Sequence, residues 1–175
     1  MSARELKQYL KELNKEQLEE QLLDLYKRFR EVKEYYDFAF NPKENELLEQ
    51  CRFLIGKEYF PVNGRKAKAR RSVGQKWVRK LKLFGAEPSL IANIMLYNVE
   101  IAQAWSREKK PAPESFYRSI FKSFDEALVY ISENGLQKEF SLRIDKITGE
   151  CFVQNWPNRS LFERLAEMYT SGNDC

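Results

Sequence analysis

The chain has 175 residues, carries a net charge of +4 and contains no histidine. Its 7 Gly and 6 Pro are few for this length, so the 43% of apolar residues are expected to lie in long regular elements of one domain. The lack of histidine argues against Ser-His-Asp and Cys-His catalysis, against His-ligated zinc and against the commonest general base near neutral pH.

The N-terminus and the cysteines predict a cytoplasmic protein without a cofactor. The first ten residues, MSARELKQYL, lack the apolar segment of a signal peptide. The longest uncharged stretch, residues 88–99, is shorter than the roughly 18 apolar residues of a membrane span, so no membrane contact is expected. The three cysteines form no C-x-x-C pair and are expected as two reduced core thiols and one tail thiol, namely Cys51, Cys151 and Cys175.

Apolar residues at helical spacing predict an all-α chain of about eight helices. The first is short, and the second follows an Asn14 N-cap and runs to about Tyr36. At residues 41–44, an Asn N-cap, a Pro at the first helical position and a Glu at the third predict the start of the next helix. The apolar positions of these three helices are Leu6, Leu10 and Leu13; Leu18, Leu22, Leu25, Phe29 and Val32; and Leu47, Leu48, Cys51, Ile55 and Tyr59.

The fourth and fifth helices are predicted on either side of Gly85, which suits a left-handed helix end. An apolar stripe over residues 73–84, at steps of four, four and three, places the fourth helix at about residues 66–84. The fifth, at roughly residues 88–105, has Glu100 as its one interior charge. A helix that is apolar nearly all round is expected at the centre of the core.

Three further helices are predicted in the C-terminal part of the chain. One spans about residues 114–133 and ends near Gly135. Residues 140–153 alternate as a β-hairpin would, but a longer stripe over residues 136–151 fits a helix, which we prefer. The last helix follows the Pro-Asn pair at residues 157–158.

From the third helix onward the predicted helix starts are evenly spaced, so that a helix pair takes about 46 residues, inside the roughly 40–47 of HEAT and armadillo repeats. The sequence itself does not repeat, and a bundle with short loops gives the same rhythm. We therefore predict a single all-α domain, either an antiparallel helical bundle or a short HEAT-like array of helix pairs. It comprises an N-terminal helical hairpin (1–40), a helical core (41–170) and a tail (171–175).

The charge distribution is the most informative feature of the sequence. Between Tyr59 and Ala86 there are nine basic and no acidic residues, whereas the rest of the chain has 21 basic and 26 acidic residues. The small net charge therefore conceals a basic stretch within an acidic chain. We call these nine residues the basic segment: Arg65, Lys66, Lys68, Arg70, Arg71, Lys76, Arg79, Lys80 and Lys82.

On a helical wheel the basic segment forms a charged face opposite the apolar stripe, extended into the Asn63–Gly64 turn. Mixed Arg and Lys along one face suit a phosphate backbone. The first hypothesis is therefore a non-enzymatic binding module that contacts nucleic acid or another polyanion through this segment. No RNA-recognition aromatic pattern, zinc finger or helix-turn-helix accompanies it.

Other interpretations of the basic segment stay open. Its face is either simply solvated or binds an acidic protein, and the acidic run of residues 16–24 offers a partner within the fold or in a homodimer. An enzyme is not predicted, because carboxylate pairs such as Glu16/Glu20 are also typical of any solvated helix. P-loop, Gly-x-Gly-x-x-Gly and Gly-x-Ser-x-Gly motifs are all absent from the sequence.

Three strings carry a resemblance to a known family: KEYYDF at residues 33–38, NPKE at 41–44 and EYFPVNGRK at 58–66. Their order and spacing resemble a family of small bacterial helical proteins catalogued as a domain of unknown function. The similarity extends over most of the chain and fades after about Trp156. The resemblance implies a standalone bacterial cytosolic protein and supplies no activity, cofactor or catalytic residue.

Overall fold

The structure is a computed structural model that describes residues 2–62, 64–108 and 112–170, so the predicted tail with Cys175 lies outside it. Within these ranges the chain forms nine α-helices and no strand, which confirms the all-α prediction. The helices are α1 (Ala3–Lys11), α2 (Lys15–Arg28), α3 (Arg30–Phe40), α4 (Glu44–Tyr59), α5 (Ser72–Phe84), α6 (Pro88–Glu108), α7 (Glu114–Glu133), α8 (Gln137–Val153) and α9 (Arg159–Thr170).

The chain divides into two compact units, Met1–Lys43 and Glu44–Cys175. The first unit contains α1 to α3, and the second contains α4 to α9. The division falls three residues after the predicted end of the N-terminal hairpin. That the two units form a single domain stays a prediction.

The second predicted helix is wrong in one respect, because it is broken at Phe29. This residue is extended (φ −112°, ψ 117°), ends α2 and begins α3. The chain turns back there, since the Tyr26 hydroxyl donates a hydrogen bond to Asp37 Oδ1 at 2.7 Å. In one continuous helix these two residues would be about 16 Å apart along the axis. No Gly or Pro marks the break, and apolar residues continue across it at helical spacing. The sequence therefore predicts one helix where the structure has two.

The predicted N-cap at Asn41 is also wrong. Helix α3 extends to Phe40, and Asn41 is its C-cap. The rings of Tyr36 and Phe40 stack at 5.9 Å, and such a contact between residues four apart stabilises the last helical turn. Pro42 then disfavours helical conformation in the residue before it, so α4 begins only at residue 44.

Helix α6 is the centre of the second unit, as its single interior charge predicts. Ten of its residues are buried. Helices α4, α5, α7 and α8 pack against it, and α9 packs against α7 and α8. These contacts join helices one or two positions apart in the chain, which fits both the predicted bundle and the predicted array of helix pairs.

The ends of the helices in this unit follow the sequence predictions closely. Gly85 and Gly135 have φ values of 70° and 68°, the left-handed conformation expected at a helix end. The sixth predicted helix has the bounds of α7. Residues 137–153 form helix α8, so the hairpin alternative for this stretch is wrong.

An aromatic cluster joins the last two helices to α7. Trp156, in the turn between α8 and α9, is 1% exposed. Its ring packs edge-on against Phe116, Tyr117 and Phe162 at centroid distances of 6.0, 5.1 and 5.6 Å. The indole N–H donates to Gln154 Oε1 at 3.0 Å, so the one polar group of this ring is satisfied inside the core.

Replacing Trp156 by Ala is expected to lower the free energy of unfolding by about 3–5 kcal/mol, because it leaves a cavity between three aromatic rings. Urea unfolding followed by far-UV circular dichroism measures the loss. Leu142→Ala on α8 is the control, since this side chain is 75% exposed and should change stability by less than about 0.5 kcal/mol. Equal losses in the two variants would contradict the assigned core.

Candidate nucleic-acid interface

The structure places the basic segment on a loop and a helix instead of one helix. The predicted helix over 66–84 is wrong in its first part, because α5 begins only at Ser72. The backbone N–H groups of Lys68 and Ala69 both donate to the Glu58 carbonyl oxygen at 3.2 Å, which ties the loop to the end of α4. Ala69 has a φ of 48°, which does not continue a helix.

We call residues 64–71 the basic loop. Of the predicted turn before it, Gly64 has a φ of 66°, and Asn63 lies outside the described residues. Arg65, Lys66, Lys68, Arg70 and Arg71 belong to this loop, and the four other cations of the basic segment belong to α5.

Arg70 anchors the basic loop to α4. Its Nε and Nη2 donate to the two carboxylate oxygens of Glu58 at 2.7 and 3.2 Å, a bidentate pair. The Glu58 side chain is only 13% exposed. The hydrogen bond from Arg70 lowers the pKa of Glu58 below its ordinary value of 4.5. Arg70 is therefore a structural cation.

Arg71 is the second structural cation, since it connects the start of α5 to α7. Its Nη1 donates to Ser123 Oγ at 3.0 Å and lies 3.5 Å from Glu126 Oε2, and its side chain is 19% exposed. One turn further along α5, Gln75 Nε2 donates to the same Glu126 oxygen at 3.1 Å. These contacts fix the first turn of α5 on α7.

Two lysines of α5 lie over aromatic rings. The Lys80 ammonium is 5.3 Å from the ring centroids of Trp77 and Phe84, and the Lys82 ammonium is 4.2 Å from that of Tyr130 on α7. Such a contact is worth about 0.5–1 kcal/mol at an exposed site and neutralises no charge.

The other five cations are exposed and form no ion pair within the part of the chain that the structure describes. On α5, two of them lie three residues apart on the face that also carries Leu83, which is 72% exposed. These cations are the surface that the basic segment presents to a partner: Arg65, Lys66, Lys68, Lys76 and Arg79.

The basic loop borders a cavity of about 590 Å³ at the ends of α4 and α6. Arg65, Lys66, Glu108, Tyr59 and Trp105 are among the residues that line it, and the rings of the last two lie 6.4 Å apart. Within the described residues neither the Tyr59 hydroxyl nor the Trp105 indole N–H has a hydrogen-bond partner, and both atoms are buried. Burial raises the pKa of the Tyr59 hydroxyl, so it keeps its proton. Two cations, one carboxylate and two aromatic residues therefore border one cavity.

A second cleft, of about 380 Å³, lies between α5, α6 and α7 and carries both signs of charge. Arg79 and Lys82 line one side, and Asp125, Glu126 and Glu133 line the other. The carboxylates repel a polyanion, so the cleft itself is not part of the candidate interface, although Arg79 lines it and is also one of the five exposed cations. The sequence does not reveal this cleft, because its two walls come from helices that are distant in the chain.

The acidic run of residues 16–24 has local partners in α2. Glu19 lies 3.6 Å from Lys15, and Asp24 lies 2.9 Å from Arg28. Both pairs are exposed and join residues four apart, so each is worth only a few tenths of a kcal/mol.

The two described cysteines are buried and free, as predicted. Burial raises the pKa of Cys51 and of Cys151 to about 12, so neither is a thiolate at neutral pH. Among the described residues no group of His, Cys, Asp or Glu side chains is placed to hold a metal ion.

The fold and this surface define an all-α protein with a basic loop beside an aromatic-lined cavity. The chain belongs to the family of unknown function DUF6155, whose family model matches residues 1–170. The predicted resemblance to an uncharacterised family is thereby confirmed, but the match continues to residue 170, so the predicted fading after about Trp156 is wrong. A search of curated proteins and a search of solved structures each found no match to the chain. In the described ranges no helix is both long enough and apolar enough to span a membrane.

The contact between Glu58 and Arg70 predicts a pH-dependent stability. A carboxylate whose pKa is lowered in the folded state stabilises the fold above its unfolded pKa, and this contribution is lost as the pH falls through the folded value. We expect Glu58→Gln to cost about 1 kcal/mol at neutral pH, and the difference from the unmodified chain to shrink as the pH falls below 4.5.

Urea unfolding of both proteins over this pH range measures the difference. The control is Glu114→Gln, since Glu114 lies 3.8 Å from Arg118 in a pair that is more than 70% exposed and should contribute little. A cost of Glu58→Gln that is the same at every pH would contradict the assigned ion pair.

Proposed function

We propose that this protein is a non-enzymatic module that binds the phosphates of nucleic acid through the exposed cations of the basic segment. The observation that carries the proposal is the cavity beside the basic loop, where Arg65 and Lys66 adjoin the rings of Tyr59 and Trp105. Proteins that bind single strands combine a positively charged groove with aromatic side chains on which bases stack. Of the two rings here Trp105 is partly exposed, whereas Tyr59 is 1% exposed and supports it from the core.

The structural cations support the proposal because they fix the exposed ones in place. The pair of Arg70 with Glu58 holds the basic loop on α4, and the contacts of Arg71 hold the start of α5 on α7. A surface that is already ordered loses less conformational entropy when it binds a partner. Two of the nine cations are thereby paired with carboxylates, and five of the other seven contact neither a carboxylate nor an aromatic ring among the described residues.

The number of exposed cations sets the expected salt dependence. Each phosphate neutralised on a single strand contributes about −0.7 to the slope of log K against log salt. Contact of all five exposed cations with phosphates would give a slope of about −3.5. A slope near zero at measurable affinity would exclude a phosphate-based interface.

An acidic protein is the alternative partner for the same face. The observation that favours it is Leu83, which is 72% exposed on the face of α5 that carries Lys76 and Arg79. An exposed apolar side chain among cations suits a protein surface better than a phosphate backbone. Affinity capture with and without nuclease separates the two, since only a protein partner survives nuclease treatment.

The decisive variant reverses two loop cations that have no structural role, Arg65→Glu with Lys66→Glu. We expect this change to weaken binding of a fluorescent single-stranded oligonucleotide by about tenfold or more at low salt, measured by anisotropy. Arg71 is unsuitable for this test because its reversal would place a carboxylate beside Glu126.

The matched control is Lys122→Glu with Lys138→Glu, which changes the net charge equally at exposed positions on α7 and α8. It should bind the oligonucleotide as the unmodified chain does, apart from a small long-range effect. Absence of binding at low salt would refute the proposal, as would equal losses in the two variants.

A further inference from the structure

The first unit lacks a core of its own. Among residues 2–43 no side chain is buried, whereas the second unit has a full apolar interior. Below about 40 residues a folded unit usually needs disulfides, a metal or association with another chain, and this unit, Met1–Lys43, is close to that size. Nine large apolar side chains of this unit are 38–83% exposed: Leu6, Tyr9, Leu18, Leu22, Leu23, Leu25, Phe29, Tyr35 and Phe40.

Helix α2 carries the most regular part of this exposed surface. Leu18, Leu22 and Leu25 are spaced by four and three residues, the heptad spacing that places side chains along one seam between paired helices. Beside them, α2 and α3 form a groove of about 480 Å³. The groove is lined mainly by apolar and aromatic side chains, which include Leu22, Leu23, Tyr26, Tyr36 and Phe40.

The charges along α2 differ between its two ends. Residues 15–24 contain four carboxylates and one lysine, and residues 25–28 contain two cations and no carboxylate. In a parallel pair of identical helices, like charges would face each other. In an antiparallel pair, the acidic end of each α2 faces the basic end of the other: Glu16, Glu19 and Glu20 against Lys27 and Arg28.

We propose that the first unit is a dimerisation module. In the dimer the apolar stripe of α2, formed by Leu18, Leu22 and Leu25, packs antiparallel against the same stripe of a second copy of this chain. An antiparallel pair of identical helices has the two-fold symmetry that most homodimers adopt. The exposed pairs within α2 are weak enough to exchange for contacts across the dimer. None of the cations of the basic segment belongs to this unit.

The first unit fits a second copy better than it fits a polyanion. It contains nine basic and nine acidic residues, so it is neutral as a whole. A polyanion gains nothing from a neutral surface, whereas two neutral units approach each other without net repulsion. The apolar stripe then supplies the attraction, and the charge pattern supplies the orientation.

The first test is the mass of the unmodified full chain in solution, by sedimentation equilibrium without nucleic acid. We expect twice the 20.8 kDa of one chain. The double variant Leu22→Glu with Leu25→Glu should have the mass of one chain. The control Leu142→Glu with Val153→Glu, at positions on α8 that are about three quarters exposed, should remain a dimer.

Folding of the variants is checked independently of dimerisation. All three tryptophans lie in the second unit, so their fluorescence reports whether that unit stays folded. A single-chain mass for the unmodified protein at every concentration would overturn the proposal, since a second copy of the chain would then not cover the apolar stripe. Dimerisation that survives Leu22→Glu with Leu25→Glu would overturn it too.

The second test uses charge alone and leaves the apolar stripe intact. One variant makes the acidic end of α2 basic (Glu16→Lys, Glu19→Lys, Glu20→Lys), and the other makes its basic end acidic (Lys27→Glu, Arg28→Glu). Each alone should dimerise at least tenfold more weakly than the unmodified chain, and an equal mixture should restore the dimer. In a parallel pair neither change would weaken dimerisation, so two unaffected variants would refute the antiparallel arrangement.

Discussion

A helix that is apolar around nearly its whole circumference is stable in water only when other helices cover it. Helix α6 imposes this requirement on the second unit, and α4, α5, α7 and α8 meet it. Its few polar side chains set where the neighbours lie. Gln103 donates to the Ile147 carbonyl oxygen at 2.8 Å, and Arg143 donates to both Glu100 carboxylate oxygens at 2.5 and 2.7 Å. Both contacts fix α8 on α6.

Helix α5 also covers α6, and its packing uses one cation of the basic segment as a structural contact. Gly74 lies so close to Asn98 of α6 that an added Cβ would be 2.5 Å from the Asn98 side chain. At this short distance between the two helices, Arg71 reaches Ser123 and Glu126 on α7. A cation used in this way holds α5 in place and is not available to a polyanion, so packing of the core decides which cations remain for a partner.

The helices of the second unit could be predicted from sequence because burial selects apolar residues at helical spacing. The errors fall where backbone geometry depends on partners distant in the chain. Glu58 holds the basic loop through a residue twelve positions away, and Asp37 bonds to Tyr26 across the break at Phe29. Likewise, the sequence reveals all nine cations, but only the fold separates Arg70 and Arg71, which have carboxylate partners, from the exposed ones.

The two units differ in charge as they differ in burial. The first is neutral, and the whole net charge of +4 belongs to the second, which also carries every exposed cation of the basic segment. Salt weakens contacts with phosphates steeply, but it weakens an apolar seam much less. Association through the first unit and polyanion binding through the second therefore respond to different solution variables.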